Sequence, residues 1–358
     1  MKAIKQTTGV DVAQDELVCS FGILYQDLSW QIKARKTFGN HFSGFKACLK
    51  WAESMRDANS EVLFVMEATG VYHEKFAHWL VDQGQQLSIV LPNKISNYMR
   101  TLSIKTVIDS TCADAITQFG LERKLDLWAP PKPIFRTLRQ LTRERDQIVA
   151  ERVTVDNQIH AEKTEAFPNA NSLKRLNVRR KLLCKQEQEI KNEIHQLVKS
   201  DQELDQDCRR ITSIPGVGEL TAVIVLAETN GFELVRNKRQ LSSYAGLDVK
   251  EKQSGTSVKG KARISKKGNR SLRKAMHLPA LAAIRHCNIY KDTFARLVGR
   301  HGIKMKAAVA VQRKLLELIY IVFKNKTIFN PDYEQEREDG KNHSSLHSLA
   351  GADLSNQI

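Results

Sequence analysis

Hydrophobic residues in roughly the first 125 positions follow patterns typical of alternating strands and helices. Three strand-like runs come in quick succession. Two short, continuously apolar runs follow, as expected of strands buried on both faces. The predicted strands are residues 4–12, 17–24, 28–38, 61–67 and 87–91, and the predicted helices are residues 42–55, 72–82, 94–102 and 111–125. Three consecutive strands followed by alternating helices and strands are the element order of an RNase H-like α/β fold.

The pattern changes after three closely spaced prolines, Pro130, Pro131 and Pro133, which predict a domain boundary. Beyond them, two runs of 3-4 spacing, joined by a turn, predict two long helices. These helices fold back on each other or pair with a partner chain; the alternative is a solvated spacer with no role in assembly. We predict four regions: an RNase H-like domain at 1–128, a coiled-coil or helical hairpin at 134–205, a mainly α-helical domain at 206–333 and a disordered polar tail at 334–358.

The charge balance indicates what the chain binds. It has 56 Lys and Arg against 40 Asp and Glu, a net charge of +16 and a pI near 9.6, as expected of a protein that meets phosphate. No apolar run approaches the roughly 18 residues of a membrane-spanning helix, and the N-terminus lacks the apolar core of a signal peptide. The six cysteines are scattered without a CxxC pair. We therefore expect reduced thiols, no structural zinc, no membrane and a cytoplasmic location.

Four acidic residues of the first domain stand where a metal site could form. Asp11 ends the first predicted strand, Glu67 ends the fourth, and Asp109 and Asp114 open the helix that follows the last strand. Carboxylates that converge in this way repel one another unless divalent cations hold them. Two Mg²⁺ ions would clamp the attacking and leaving oxygens of a phosphoryl transfer. The alternative for each residue alone is a turn or a helix cap.

A glycine turn in the second half predicts contacts with nucleic-acid backbone. The sequence Ser-Ile-Pro-Gly-Val-Gly, in which the glycines are Gly216 and Gly218, precedes an apolar helix and resembles a helix-hairpin-helix turn. Small glycines let backbone N–H groups approach a phosphate, and the following helix N-terminus adds the positive end of its dipole. A tight turn between helices with no ligand is the alternative.

Residues 251–275 contain nine Lys and Arg against one acidic residue, which is half of the net charge of the chain. Such a segment would neutralise several phosphates, and its binding should weaken steeply with salt. The candidate phosphate contacts are Lys259, Lys261, Arg263, Lys266, Lys267, Arg270 and Arg273. The segment also carries hydroxyl groups, at Ser254, Thr256, Ser257, Ser265 and Ser271. Each could donate a hydrogen bond to phosphate or attack phosphorus as a nucleophile, and spacing does not decide between these roles.

Taken together, these motifs resemble the DEDD transposases of bacterial insertion sequences, which are relatives of the Piv-type DNA invertases. The resemblance extends over about residues 8–333. It rests on GVDVAQ, VMEATGVY and IVLPNKI in the first half, and on ITSIPGVGELTAVIVLAE, QLSSYAGLDV, GKARISKKGNRSLRKAM and AVAVQRKLLELIY in the second. It implies a RuvC-like domain, a coiled coil and a C-terminal transposase domain. It also implies an acidic tetrad that binds Mg²⁺, a serine that becomes covalently linked to DNA and, in some members, a structured guide RNA.

By this resemblance Asp11, Glu67 and Asp109 match the first three acids, and Ser254 matches the nucleophile. The last two acids of the family are usually three residues apart. Here Cys112 stands three residues after Asp109, and Asp114 comes two residues later. On a continuous helix, a spacing of five residues separates side chains by about 140°. Whether three or four acids bind the metal is therefore left open.

These observations favour a DNA transposase or site-specific recombinase that acts on DNA, with a structured guide RNA, as a dimer or tetramer. A second hypothesis is an endonuclease of the Holliday-junction type that uses the same acids with water as the nucleophile. A third is a non-catalytic nucleic-acid-binding protein whose acids are structural. The glycine turn and the basic segment are common to all three hypotheses, so they do not discriminate.

Overall fold

The fold is that of a computed structural model, which describes residues 2–57, 60–68, 70–102, 106, 108–251, 253–254, 258–260 and 263–330, with only the backbone at 253–254 and 258–259. The chain forms two compact units, Met1–Pro130 and Pro131–Ile358. The described part of the first unit is mixed α/β, and that of the second is mainly helical, as the sequence predicts. Division of the second unit at 205–206 and 333–334 stays a prediction.

The described residues of the first unit form one mixed sheet and four helices. In chain order its elements are β1 Ala3–Val12, β2 Glu16–Tyr25, β3 Trp30–Gly39, α1 Phe42–Met55, β4 Val62–Glu67, α2 Glu74–Asp82, β5 Gln86–Val90, α3 Pro92–Met99 and α4 Asp109–Glu122. The strand order is β3-β2-β1-β4-β5. The first three strands are antiparallel neighbours, whereas β4 pairs parallel to β1 and β5 parallel to β4. This is the element order from which the sequence predicts an RNase H-like fold.

Both faces of the sheet are covered, which explains the continuously apolar β4. On one face, Phe21 and Phe64 pack with Phe76 of α2 in a cluster that includes α1. On the other face, α4 lies directly on β1. A Cβ atom added at Gly9 would overlap the Thr117 backbone nitrogen, so this close approach of helix and strand requires glycine. The close packing fixes the N-terminal end of α4 relative to β1.

The second unit begins with two long helices, as the 3-4 spacing predicts. They are α5 Pro133–Thr164 and α6 Ala170–Ser200. At their seam, Val155, Ile159 and Leu183 are buried together. A largely buried carboxylate, that of Glu187, forms ion pairs of 2.8–3.2 Å with cations of both helices, namely Arg145, Arg152 and Lys191. Such a charged cluster favours one register of the helical pair. Whether the pair forms a coiled coil with a partner chain stays a prediction.

The remaining elements build a helical body around one apolar helix. They are α7 Gln202–Thr212, α8 Glu219–Thr229, α9 Lys238–Tyr244, β6 Val249–Lys250, β7 Gln253–Ser254, β8 Val258–Lys259, β9 Arg263–Ile264, α10 Arg270–Ala275, α11 His277–His286, α12 Asn288–His301 and α13 Lys304–Asn325. Helix α8 is buried from Ala222 to Thr229, so other elements surround it. No described helix combines the length and apolar character that a bilayer crossing requires.

Candidate functional site

Three of the predicted acids lie near one another at one edge of the sheet. Asp11 and Glu67 each stand one residue beyond the paired positions Val10 and Met66 on the parallel neighbours β1 and β4. Asp109 is the first residue of α4, which packs on β1. Burial and, to a lesser extent, the negative charges of Asp109 and Glu67 together raise the pKa of Asp11 to about 6. The three carboxylates therefore interact electrostatically.

This acidic cluster, Asp11, Glu67 and Asp109, fits a hard divalent cation by its donor chemistry. Carboxylate oxygens are the ligands that Mg²⁺ prefers, and a cation would relieve the repulsion that raises the pKa of Asp11. As the described side chains are placed, no three His, Cys, Asp or Glu residues lie close enough together to hold a metal ion. Binding of a cation would thus require the carboxylates to converge by side-chain rotation.

Asp114 is bound elsewhere. Its carboxylate accepts two hydrogen bonds of 2.8 Å from the guanidinium of Arg35 on β3 and one of 2.6 Å from the hydroxyl of Ser20 on β2. It is not among the charges that act on Asp11. One turn later on α4, the Thr117 hydroxyl donates to the carbonyl oxygen of Ser20. The structure therefore does not bring Asp114 to the other three acids; it joins α4 to β2 and β3.

Cys112 stands where the family usually has its fourth acid. It follows Asp109 by three residues on α4 and is partly buried. Burial raises the pKa of its thiol, and the negative charges of Asp11, Asp109 and Glu67 raise it further. The sequence analysis noted the three-residue spacing from Asp109 to Cys112 but assigned Cys112 no role in the site. Residues three apart on a helix share a face, so that spacing already put Cys112 on the side of Asp109.

The two glycines of the predicted nucleic-acid turn differ in their surroundings. Gly216 has φ +88°, and a Cβ atom there would lie 2.7 Å from the Pro279 carbonyl oxygen and the Ala283 nitrogen of α11. This glycine is thus explained by packing against the protein itself. Gly218 is the N-cap residue of α8, and a Cβ atom added there would meet no other atom within 4 Å. Only Gly218 leaves room for a phosphate, and the role of both glycines stays a prediction.

The basic segment, residues 251–275, contains one short antiparallel pair, β7 with β8, and its strand β9 pairs antiparallel with β6, which directly precedes the segment. The backbone of Ser254 pairs with that of Val258. The side chains of Ser254 and Lys259 lie outside the described residues, as do Thr256, Ser257 and Lys261. The distance from the Ser254 hydroxyl to the acidic cluster is therefore not part of the described structure.

The described cations of this segment fall into two groups. Four are exposed and have no acidic partner in the described part of the chain: Arg263, Lys266, Lys267 and Arg270. The other two are engaged in the fold. Arg273 donates a 2.7 Å hydrogen bond to the carbonyl oxygen of Ala245, and Lys274 forms a 3.0 Å ion pair with Asp146 of α5. The first group is therefore the better candidate for phosphate contacts.

A buried carboxylate anchors the segment to the helical body. Glu228 of α8 accepts two hydrogen bonds of 2.9 Å from the Arg143 guanidinium of α5 and one of 2.7 Å from the Asn269 amide. The Asn269 side chain also accepts from the Leu272 nitrogen and so caps α10. Tyr244 donates to the Glu228 carbonyl oxygen. Sequence reasoning missed this network because its members come from distant segments; only the cap at Asn269 left a local signal.

Comparison with known proteins finds that segments of both units match transposase family models. Residues 8–168 match a DEDD transposase model of the IS110 group, and residues 208–295 match the model described as the transposase IS116/IS110/IS902 family. Together the two matches cover more than half of the chain.

Individual relatives and one solved structure are also similar. The pilin gene-inverting protein of Moraxella bovis is 26% identical over 335 residues, 91% of this chain and 98% of that protein. The transposase for insertion sequence element IS1111A of Coxiella burnetii is 35% identical over 122 residues, 32% of each chain. The structure of T. thermophilus RuvC in complex with a Holliday junction substrate aligns with a TM-score of 0.27 at 7% identity, covering 34% of this chain and 99% of that one.

Proposed function

Because the chain belongs to the IS110 family of DEDD transposases, we propose that it cuts and exchanges DNA strands of an insertion sequence in a metal-dependent reaction. The observation that carries the proposal is the acidic cluster at the ends of two parallel strands, Asp11 and Glu67, with Asp109 beside them. Phosphoryl transfer needs such negatively charged, partly buried oxygen ligands in order to hold divalent cations.

In this proposal Asp11, Glu67 and Asp109 would hold Mg²⁺, with two ions bound in the fully loaded site. The ions, when bound, polarise the scissile phosphate and stabilise the charge that develops on its oxygens. The chain keeps the ligands near one another through the register of β1 with β4 and the close packing of α4 on Gly9. Asp114, which holds Arg35 and Ser20, fixes α4 to the sheet and joins the ligands only if that ion pair opens.

Ser254 is the proposed nucleophile. Its oxygen bonds to the phosphorus of a phosphodiester as the bond from phosphorus to the leaving deoxyribose oxygen breaks. The serine proton passes to a base such as water, and the leaving oxygen takes up a proton from water and ends as a free hydroxyl. The energy of the broken bond is kept in the phosphoserine linkage, so attack by a hydroxyl of another strand can reverse the step without ATP. What supports this role is the position of Ser254 in the segment that carries the exposed cations.

Nucleic acid is the proposed partner of the second unit. The exposed Arg263, Lys266, Lys267 and Arg270, together with Lys259, Lys261 and the turn at Gly216 and Gly218, would bind phosphates of DNA and of a structured guide RNA, whereas Arg273 would hold the Ala245 carbonyl oxygen instead. Exchange between two duplexes needs several active sites at once. We therefore propose a dimer or tetramer joined through α5 and α6, working on DNA in the cytoplasm.

The metal assignment is tested with Glu67→Gln, which removes one charge while keeping the shape of the side chain. We expect Mg²⁺-dependent strand cleavage to fall by roughly a thousandfold, a loss of several kcal/mol of transition-state stabilisation. The matched control is Glu61→Gln, directly before the start of β4, where the exposed carboxylate accepts a hydrogen bond from the Gln86 amide. Binding of Mn²⁺, measured by electron paramagnetic resonance, gives a second readout. Unchanged cleavage and Mn²⁺ binding in the Glu67 variant would contradict the proposal.

The covalent step is tested with Ser254→Ala. We expect the protein–DNA adduct, detected by denaturing gel electrophoresis, to disappear, whereas Ser271→Ala in the same segment leaves its yield unchanged. Metal-dependent cutting without any adduct in the unmodified chain would favour water as the nucleophile, as in a Holliday-junction endonuclease. Salt-sensitive DNA binding without cutting would instead favour a non-catalytic protein.

A further inference from the structure

A cleft of about 620 Å³ lies beside the acidic cluster, in the first unit. Glu67 forms part of its wall, and the rest comes mainly from α3 and the residues just after it. The lining side chains that could contact a ligand are those of Pro92, Asn93, Ser96, Met99 and Arg100. A ligand in this cleft would therefore lie next to a proposed metal ligand.

Helix α3 forms a fixed wall rather than a loose one. Its inner face is buried through Ile95 and Tyr98, which are 1% and 7% exposed. The Tyr98 hydroxyl donates a 2.7 Å hydrogen bond to the carboxylate of Glu122, which ties α3 to α4. Four lining residues, Pro92, Asn93, Ser96 and Arg100, are exposed on the other side of the helix, and Met99 is partly buried against the same core cluster as Ile95. The cleft is thus formed before any ligand arrives.

The lining combines three kinds of contact. Met99 and Pro92 are apolar, and Asn93 and Ser96 can donate or accept hydrogen bonds. The Arg100 guanidinium is exposed and has no acidic partner in the described residues, so it can bind an anion. The volume falls within the range of clefts that hold small molecules, roughly 300–1,000 Å³. A flat apolar face, hydrogen-bonding edges and an anion are the three features of a single nucleotide.

We infer that this cleft takes one unstacked nucleotide of the DNA strand, next to the phosphodiester that is cut. The inference rests on the proposed function, because Glu67 is what places the cleft beside the reacting phosphate. A duplex is too wide to enter, whereas a base turned out of its stack exposes one face to Met99 and Pro92 and its edge to Asn93 and Ser96. Arg100 then binds the adjoining phosphate.

The experiment uses the full chain and oligonucleotides that contain 2-aminopurine, whose fluorescence rises when it leaves the base stack. The probe is placed in turn at each position around the cleavage site, and binding is followed without added divalent metal. We expect the fluorescence to rise at one position only, next to the cut. Arg100→Ala should weaken binding about tenfold and Met99→Ala should remove the rise, because each loses one of the contacts described.

Two matched controls come from the same helix. Lys94 is an exposed cation of α3 outside the cleft, so Lys94→Ala should change affinity less than about twofold. If the Arg100 variant does not fold, Asn93→Ala in the cleft is compared instead with Asn97→Ala outside it, and only the first should weaken binding. Equal effects of Arg100→Ala and Lys94→Ala, a rise at no position, or a rise with RNA alone would overturn the inference. If the unmodified chain cuts DNA under any of these outcomes, the proposed function stands and only the nucleotide site fails.

Discussion

The acidic cluster of the first unit and the basic segment of the second hold charge in opposite ways. The acids are few, and Asp11 and Glu67 are partly buried, so burial and the repulsion of like charges raise the pKa of Asp11 to about 6. The cations at Arg263, Lys266, Lys267 and Arg270 are exposed and separated from acidic partners among the described residues. Water solvates the exposed cations and so stabilises their charge. The carboxylates of the acidic cluster have less water around them, so their charge must be stabilised by groups or ions close by.

The supports of the two regions differ accordingly. Helix α4 packs so closely on Gly9 of β1 that a single added carbon would not fit. This packing positions Asp109 of α4 relative to Asp11 of β1. The basic segment is attached by a small polar network, in which buried Glu228 binds Arg143 and Asn269. The comparison shows that a site for a cation needs precise placement of its ligands. A surface for phosphates needs only exposed charge on an anchored segment.

The sharpest way to break this comparison is to neutralise one acid at a time. Asp109→Asn removes a charge from the acidic cluster, and we expect metal-dependent cleavage to fall by roughly a thousandfold. Asp114→Asn weakens the pair with half-exposed Arg35 and keeps an amide oxygen that can accept from Ser20, so we expect a loss of at most about 1 kcal/mol in stability and cleavage within about threefold of the parent. Single-turnover rates measure both. Equal losses would restore Asp114 as a fourth ligand.

Packing gives the next largest expected effect. In Gly9→Ala the added methyl group meets Thr117 and forces α4 away from β1, so we expect the free energy of unfolding to fall by about 3 kcal/mol. Metal-dependent cleavage should fall with it, because Asp109 moves with the helix.

The control for this substitution lies in a helix of the second unit. Gly299 of α12 faces open space, so Gly299→Ala should raise stability by up to about 1 kcal/mol. Urea unfolding followed by circular dichroism measures both variants. A neutral Gly9→Ala would show that the contact between α4 and β1 is not tight.

Much of the first unit could be predicted from the sequence because its strands carry local signals. The predicted strand at 61–67 is observed as Val62–Glu67, and the predicted strand at 4–12 as Ala3–Val12. Apolar periodicity depends on neighbours in the chain, and it also gave the two long helices. The four two-residue strands in and directly before the basic segment were not predicted, since runs that short have no period.

The site could be predicted only as far as its residues obey local rules. Asp11 and Glu67 follow from strand ends, but the partner of Asp114 could not be found, because Arg35 lies 79 residues away on β3. In the same way, the run of cations in the basic segment was evident from the sequence. Which of them are exposed and which bond to other parts of the fold was not. Which cation bonds a backbone carbonyl depends on tertiary contacts that composition does not encode.

That division gives the smallest predicted effect and the most direct check of the basic segment. Arg270 and Arg273 stand one turn apart on α10, yet Arg270 is exposed, whereas Arg273 donates to the Ala245 carbonyl oxygen. Arg270→Ala should reduce the slope of log affinity against log salt by about 1, because one phosphate contact is lost, and leave stability unchanged. Arg273→Ala should keep the slope and lower the free energy of unfolding by about 1 kcal/mol, because the carbonyl loses its donor. Fluorescence anisotropy at several salt concentrations and urea unfolding separate the two outcomes. Equal slopes in both variants would mean that exposure does not decide which cations bind phosphate, and the contrast between the two regions would then rest on the acids alone.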